Sequence, residues 1–224
     1  MLDWLGNFFT QYGDLLAEGT AGTLIMVTVS TLIAYLFGTL IAVVTTITSP
    51  GSLKPQPVIN AVLGWIINMG RSIPFIILMV VLIPFTRIIV GTSLGVPGAI
   101  VPLTIGAIPF VARMVESSFS EILPGCIEAA QAFGANTLQI IYKVFFRESL
   151  PSLIRGATIT YITLIGYSAM AGAVGAGGLG DIAIRFGYYR YQTDVLIATV
   201  IIIVVLVQVI QSVADLIARK IDKR

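Results

Sequence analysis

The chain has 224 residues, 57% of them hydrophobic and only 11% charged, with a mean hydropathy of +0.98. A soluble domain carries about 25% charged residues, so the composition is that of a polytopic membrane protein. A net charge of +2 on scattered basic residues argues against a nucleic-acid partner, the single cysteine (Cys126) excludes an intrachain disulfide, and the lack of histidine excludes imidazole metal sites and Ser-His or Cys-His catalysis.

Residues 1–19 lack the basic n-region of a cleavable signal peptide. Residues 2–16 are expected to form a short interfacial helix, with Trp4 and Phe8 as anchors. No charge occurs from Gly19 to Leu53, and residues 20–47 are ample for a first membrane span, since about 20 residues suffice. The Ser49-Pro50-Gly51-Ser52 run then reads as a turn. Residues 57–85 contain Arg71, Pro74 and Pro84 and read either as one long kinked helix or as two segments. Splitting them at Arg71 leaves pieces of about 14 and 11 apolar residues, too short to span singly. One tilted helix, kinked near Pro74, is the expectation.

After Arg87 and the loop from Gly91 to Gly98, residues 99–115 form a third expected span. Arg113 and Glu116 mark its end, three apart and able to pair. A polar stretch at about 117–151 follows, then a fourth span at 152–174 and a fifth at 193–216. The whole chain, 1–224, reads as one all-α membrane domain of five spans. With the N-terminus outside, nine Lys and Arg fall on the cytoplasmic side and three outside, Arg71 being unassigned. That bias places the polar stretch and the C-terminus in the cytoplasm.

Within the polar stretch, Glu128-Ala129-Ala130 offers two small residues that let another surface approach closely. Gly134 suits the left-handed position that ends a helix. Asn136 or Thr137 then caps a second helix, with Leu138, Ile141, Tyr142 and Phe145 as its apolar face and Gln139, Lys143 and Arg147 on another. The unit is helix, glycine turn, helix.

This unit resembles the EAA loop of bacterial ABC importer membrane subunits, matching it at Glu128, Ala129, Ala130, Gly134, Val144 and Phe146. It departs where the family has proline and this chain has Arg147. Further strings are similar to one branch of that family, the membrane subunits of methionine importers. They are residues 71–78 (RSIPFIIL), 83–87 (IPFTR), 99–104 (AIVPLT), 166–170 (GYSAM) and 175–180 (GAGGLG). The resemblance implies the type I ABC importer permease fold of five helices, a homodimer in the bacterial inner membrane, and methionine as substrate. It also implies a cytoplasmic pair of ATPase subunits that receives the EAA loop, and an extracytoplasmic substrate-binding protein. Glu128, Ala129, Ala130 and Gly134 are then the ATPase-coupling residues.

Gly175–Gly180 also fits G-x-G-x-x-G, but it closes a hydrophobic helix instead of following a strand, so no nucleotide site is read there. No phosphate-binding G-x-x-x-x-G-K-[ST] occurs, so ATP hydrolysis must come from a partner; the chain is no enzyme and no cofactor or metal is expected. The small residues from Gly166 to Gly180 serve close helix packing or a sliding gate. Met170 is the one long flexible side chain among them and the candidate constriction. Tyr167, Ser168 and Arg71 are pathway candidates; a guanidinium costs roughly 2.5–3.5 kcal/mol facing lipid, so Arg71 either has a structural partner or binds a carboxylate. Competing readings are an importer of another amino acid or small nutrient, a channel or ion-coupled carrier, and a membrane scaffold.

Overall fold

The structure is a computed structural model that describes residues 2–221, with side chains from residue 7 onward. Helices in chain order are α1 (Leu2–Thr48), α2 (Pro57–Ser72), α3 (Phe75–Val81), α4 (Ile83–Val90), α5 (Gly95–Ser120) and α6 (Pro124–Ala132). They continue with α7 (Thr137–Ile140), a π turn (Ile141–Phe145), α8 (Phe146–Glu148) and α9 (Leu150–Gly172). The chain ends in α10 (Gly178–Ile182), a second π turn (Ala183–Tyr188) and α11 (Thr193–Ile221). No strand occurs among the described residues.

Three helical stretches are long and apolar enough to cross a membrane: Asn7–Thr48, Gly95–Ser120 and Thr193–Ile221. The broken pair Pro57–Ser72 and Phe75–Val81 makes a fourth if taken as one span. Helix α9 lies within two residues of its predicted limits and has 23 residues. It falls short of the same hydropathy standard because Arg155, Thr158, Thr160, Thr163 and Ser168 dilute its apolar run.

Two expectations are corrected. The separate interfacial helix is absent: residues 2–48 are one helix, about 70 Å at 1.5 Å per residue. Neither Gly13 nor Gly19 breaks it; a glycine costs a helix interior only about 1 kcal/mol, and a Cβ at Gly19 would meet the Ile182 side chain. Phe8 is a core residue at 8% exposure, not an anchor; the Trp4 side chain lies outside the described residues. Nor is the segment 57–85 one kinked helix. Proline disfavours helical backbone in the residue before it, and Ile73 accordingly turns extended (φ −81°, ψ 122°), ending α2; α3 starts after Pro74. Pro84 then sits in the first turn of α4, where its missing N–H does no harm.

The chain divides into two compact units. The first comprises Met1–Leu32, Pro74–Ile105 and Tyr161–Ile210. Its α10 lies against α1 and α9 at van der Waals limits. Leu179 N–H donates to Thr23 Oγ1 at 2.9 Å, and a Cβ on Gly180 would lie 2.5 Å from the Ala169 backbone. Phe8, Leu16, Ile182 and Val195 form a core cluster beside them. The second unit comprises Ile33–Ile73, Gly106–Thr160 and Gln211–Arg224. There Gly38 seats Val111, Gly70 seats Pro109, and Asn60 Nδ2 donates to the Thr45 carbonyl at 2.7 Å. Small residues at such contacts let helix backbones approach. Arg113 and Glu116 pair at 2.7 Å, as their spacing predicts.

Because the atoms meeting Gly180 are backbone and cannot rotate away, Gly180→Ala should destabilise the solubilised chain by about 1–3 kcal/mol. Gly64→Ala, with nothing within 4 Å of the added methyl, should not. Thermal melts of the two variants in detergent check this; equal melting temperatures would refute the packing role.

Candidate functional site

The polar stretch folds as two short helices around a glycine. Pro124 opens α6 in its first turn. The helix ends in a Schellman motif: Ala135 N–H donates to the Ala130 carbonyl at 3.0 Å and Gly134 N–H to the Gln131 carbonyl at 2.9 Å. That closure requires a left-handed residue, and Gly134 has φ +77°. Asn136, and not Thr137, caps the next helix. Its Oδ1 accepts from Gln139 N–H, and Gln139 Oε1 accepts from Asn136 N–H, each at 2.9 Å, forming a capping box. Four hydrogen bonds thus fix the angle at which α7 leaves α6.

Beyond the cap, the π turn at Ile141–Phe145 inserts an extra residue and rotates the faces. Ile140 and Phe145 turn inward, and the Phe145 and Phe146 rings lie 5.3 and 5.4 Å from that of Phe119. Leu138 and Tyr142, on the apolar face read from the sequence, are 76% and 74% exposed. Gln139, Lys143 and Arg147 are exposed as predicted, and Arg147 lies within α8. Glu128 and Ala129 are exposed and Ala130 is half-buried. Phe133, beside the glycine, is 92% exposed. Phe133, Leu138 and Tyr142 therefore leave bare apolar and aromatic surface on a segment whose neighbours are polar. Of these, sequence periodicity placed Leu138 and Tyr142 on the apolar face and missed Phe133, whose one signal is that it stands next to a helix-ending glycine.

The remaining candidates lie elsewhere. Tyr167, Ser168 and Met170 share the last turns of α9. Tyr167 stacks flat on Phe75, ring centres 4.5 Å apart and planes 5° off parallel. Ser168 is buried and donates to the Ile165 carbonyl at 2.7 Å, so its hydroxyl is already engaged. Met170 is half-exposed. Arg71 belongs to the other unit, is exposed in the last turn of α2, and forms no ion pair among the described residues. Phe75 was missed by sequence reasoning; its one signal is its place after Pro74, where a new helix begins. Gly175–Gly180 follows a helix, with positive φ at Gly175, Gly177 and Gly178, and works as a chain reversal. No group of three metal-ligating side chains occurs among the described residues.

The family model for the binding-protein-dependent transport system inner membrane component matches residues 34–224. The chain belongs to this family. A Vibrio cholerae protein named as a probable D-methionine transport system permease is 47% identical over 220 residues, 98% of each chain. A Bacillus subtilis methionine import system permease is 47% identical over 178 residues, 80% of each. Among solved structures, an inward-facing methionine ABC transporter chain superposes with a TM-score of 0.94 at 47% identity, covering 95% of this chain and 99% of that one. An amino acid ABC transporter solved with histidines shares the fold, with a TM-score of 0.78 at 20% identity.

Removing one cap partner should loosen the turn without disturbing the spans. Asn136→Ala should cost about 1 kcal/mol locally and raise amide hydrogen exchange at residues 137–141 severalfold. Exchange unchanged there would show the capping box to be dispensable.

Proposed function

We propose that this chain is the permease subunit of an ATP-driven importer of methionine. The observation that carries this reading is near full-length similarity: 47% identity across 98% of both chains to a protein named as a methionine permease. The backbone match at a TM-score of 0.94 to a methionine transporter chain supports it. In this reading two copies form a pathway in the inner membrane, fed by an extracytoplasmic binding protein and driven by a pair of ATPase subunits. The chain crosses five times, α2 and α3 together counting as one broken span and α9 as another. Its N-terminus is outside and its C-terminus in the cytoplasm, as the distribution of Lys and Arg favours.

The helix–glycine–helix unit around Gly134 is the part that docks on the ATPase. Its bare Phe133, Leu138 and Tyr142 supply the apolar anchors that interfaces favour, and Glu128, Ala129 and Ala130 give an approachable helix surface. The rigid double closure at Gly134 and Asn136 suits a lever: ATPase movement passes to the spans without being absorbed in the turn. The ligand-driven shift itself needs only a difference in binding between the inward-open and outward-open states. Met170, half-exposed near the end of α9, is the gate, meeting its symmetry mate across the two-fold axis. Its thioether chain is long and adaptable enough to seal a narrow pathway. Tyr167 holds that helix end through its stack on Phe75, and Arg71 stands at an aqueous boundary.

Two measurements test this reading. Labelled methionine uptake should vanish when the gene is deleted, return with the native chain, and stay absent with Gly134→Arg, which still inserts but no longer copurifies with the ATPase. Uptake unaffected by deletion in cells with no second route would discard methionine and direct the search to other amino acids; normal copurification of Gly134→Arg would discard the docking site. Met170→Ala should raise ATP hydrolysis uncoupled from transport in proteoliposomes, and unchanged coupling would remove Met170 from the gate.

A further inference from the structure

The unit that contains Tyr161–Ile210 carries two features that the transport reading leaves unused, and they lie along one seam. Phe186, in the second π turn, packs on the cluster of Phe8, Leu16, Ile182 and Val195, together with Ala198 and Ile202 of α11. Two guanidinium groups cover its ring, Arg190 at 4.6 Å and Arg185 at 5.0 Å from the centre. Arg185 is neutralised by Asp181 at 3.0 Å. Arg190 forms no ion pair among the described residues, nearby Asp194 included. Around it Tyr188, Tyr189 and Tyr191 are 69%, 68% and 88% exposed. A guanidinium held over an aromatic face keeps N–H donors free for a phosphate.

The second feature continues from the same cluster. Val195, Ala198 and Ile202 form a stripe along α11 that runs on through Val205, Leu206 and Val209 at helical spacing. Below Ile202 this stripe lines an open groove of about 500 Å³, bounded on the α1 side by Leu24 and wholly aliphatic. Only 11% of the apolar span of α11 is buried within the chain. At 1.5 Å per residue the groove, from Ile201 to Ile210, lies about 12–26 Å along α11 from Thr193. Half a bilayer is roughly 15 Å of hydrocarbon and 20–22 Å with headgroups. The near part of the groove, from Ile201 to Leu206 at about 12–20 Å, therefore lies at the depth of an acyl chain whose phosphate is level with Arg190, and the far part reaches past the midplane.

We propose that this seam binds an anionic phospholipid, with the phosphate on Arg190, the tyrosine hydroxyls on the headgroup and one acyl chain in the α1–α11 groove. The charge selects the lipid. Arg190 is the one cation here without an acidic partner among the described residues, and a zwitterionic headgroup would bring its own ammonium against it.

The test is native mass spectrometry of the intact transporter, purified in mild detergent and supplied with phosphatidylglycerol or phosphatidylethanolamine. The native protein should retain phosphatidylglycerol in preference. Arg190→Gln should weaken that retention roughly tenfold, the scale of a hydrogen bond to a charged group, and leave phosphatidylethanolamine unchanged. Arg190→Lys, charged but without the fork, should fall between. Leu206→Trp, which fills the groove and leaves the charge, should weaken retention of both lipids. Millimolar inorganic phosphate should not displace the lipid; displacement would mean a site for the free anion. Equal retention of the two lipids by the native protein, or by Arg190→Gln and the native protein, overturns the proposal. So does unchanged lipid retention with lost capture of an extracytoplasmic protein, which would make the patch a protein dock.

Discussion

A chain in hydrocarbon must satisfy its own backbone, because an unpaired N–H or carbonyl there costs several kcal/mol. Several departures from helix among the described residues are accompanied by a local answer to that demand. Where α10 starts, the Leu179 N–H that has no helical partner finds the hydroxyl of Thr23 on α1. Where α5 begins, Gly95 N–H donates to the carbonyl of Gly175 at 2.8 Å. At the Ile73 break the residue without an N–H to lose is Pro74. At these bends a proline, a glycine or a hydroxyl removes the penalty.

Close helix approach follows from the same constraint. Chain reversals satisfied internally are compact, and compact reversals bring backbone against backbone. Gly172 and Gly180 face each other's segments with no room for a methyl group, while Thr23 is 2% exposed beneath them. The result is a rigid end to α9, on which Tyr167 and Met170 are displayed. The opposite solution appears in the polar stretch, where water is available: Gly134 has open space around it, and rigidity comes from hydrogen bonds alone. A joint of that kind stays stiff while both its faces remain free.

The candidate site was legible in part. Glu128, Ala129, Ala130 and Gly134 follow a fixed spacing, and a glycine ahead of Asn136 already implied a helix stop and a helix start. A 3.6-residue period put Leu138, Ile141, Tyr142 and Phe145 on one apolar face, and a π turn is invisible to that period. Leu138 and Tyr142 of that face are bare, while Ile140, outside it, is buried. Ser168 looked available for a pathway, but a serine in a helix can return its proton to the preceding turn, and this one does. The seam at Arg190 had no motif at all: Phe186, Arg190 and Ile202 are joined only by packing.

The sequence by itself determined that the chain is a bundle of apolar helices, where the long spans of α5 and α11 lie, and which family it joins, because hydropathy and motif spacing are properties of neighbours along the chain. It also marked Pro74 as a bend, read as a kink but realised as a full stop to α2. Tertiary structure decided the rest. It packed α1 at Gly19 against Ile182, where a side chain would not fit. It chose which faces of α7 are bare, and it set an unpaired arginine above an aliphatic groove. These outcomes depend on contacts between residues up to 160 or so positions apart, such as Gly19 with Ile182, and no local pattern records them.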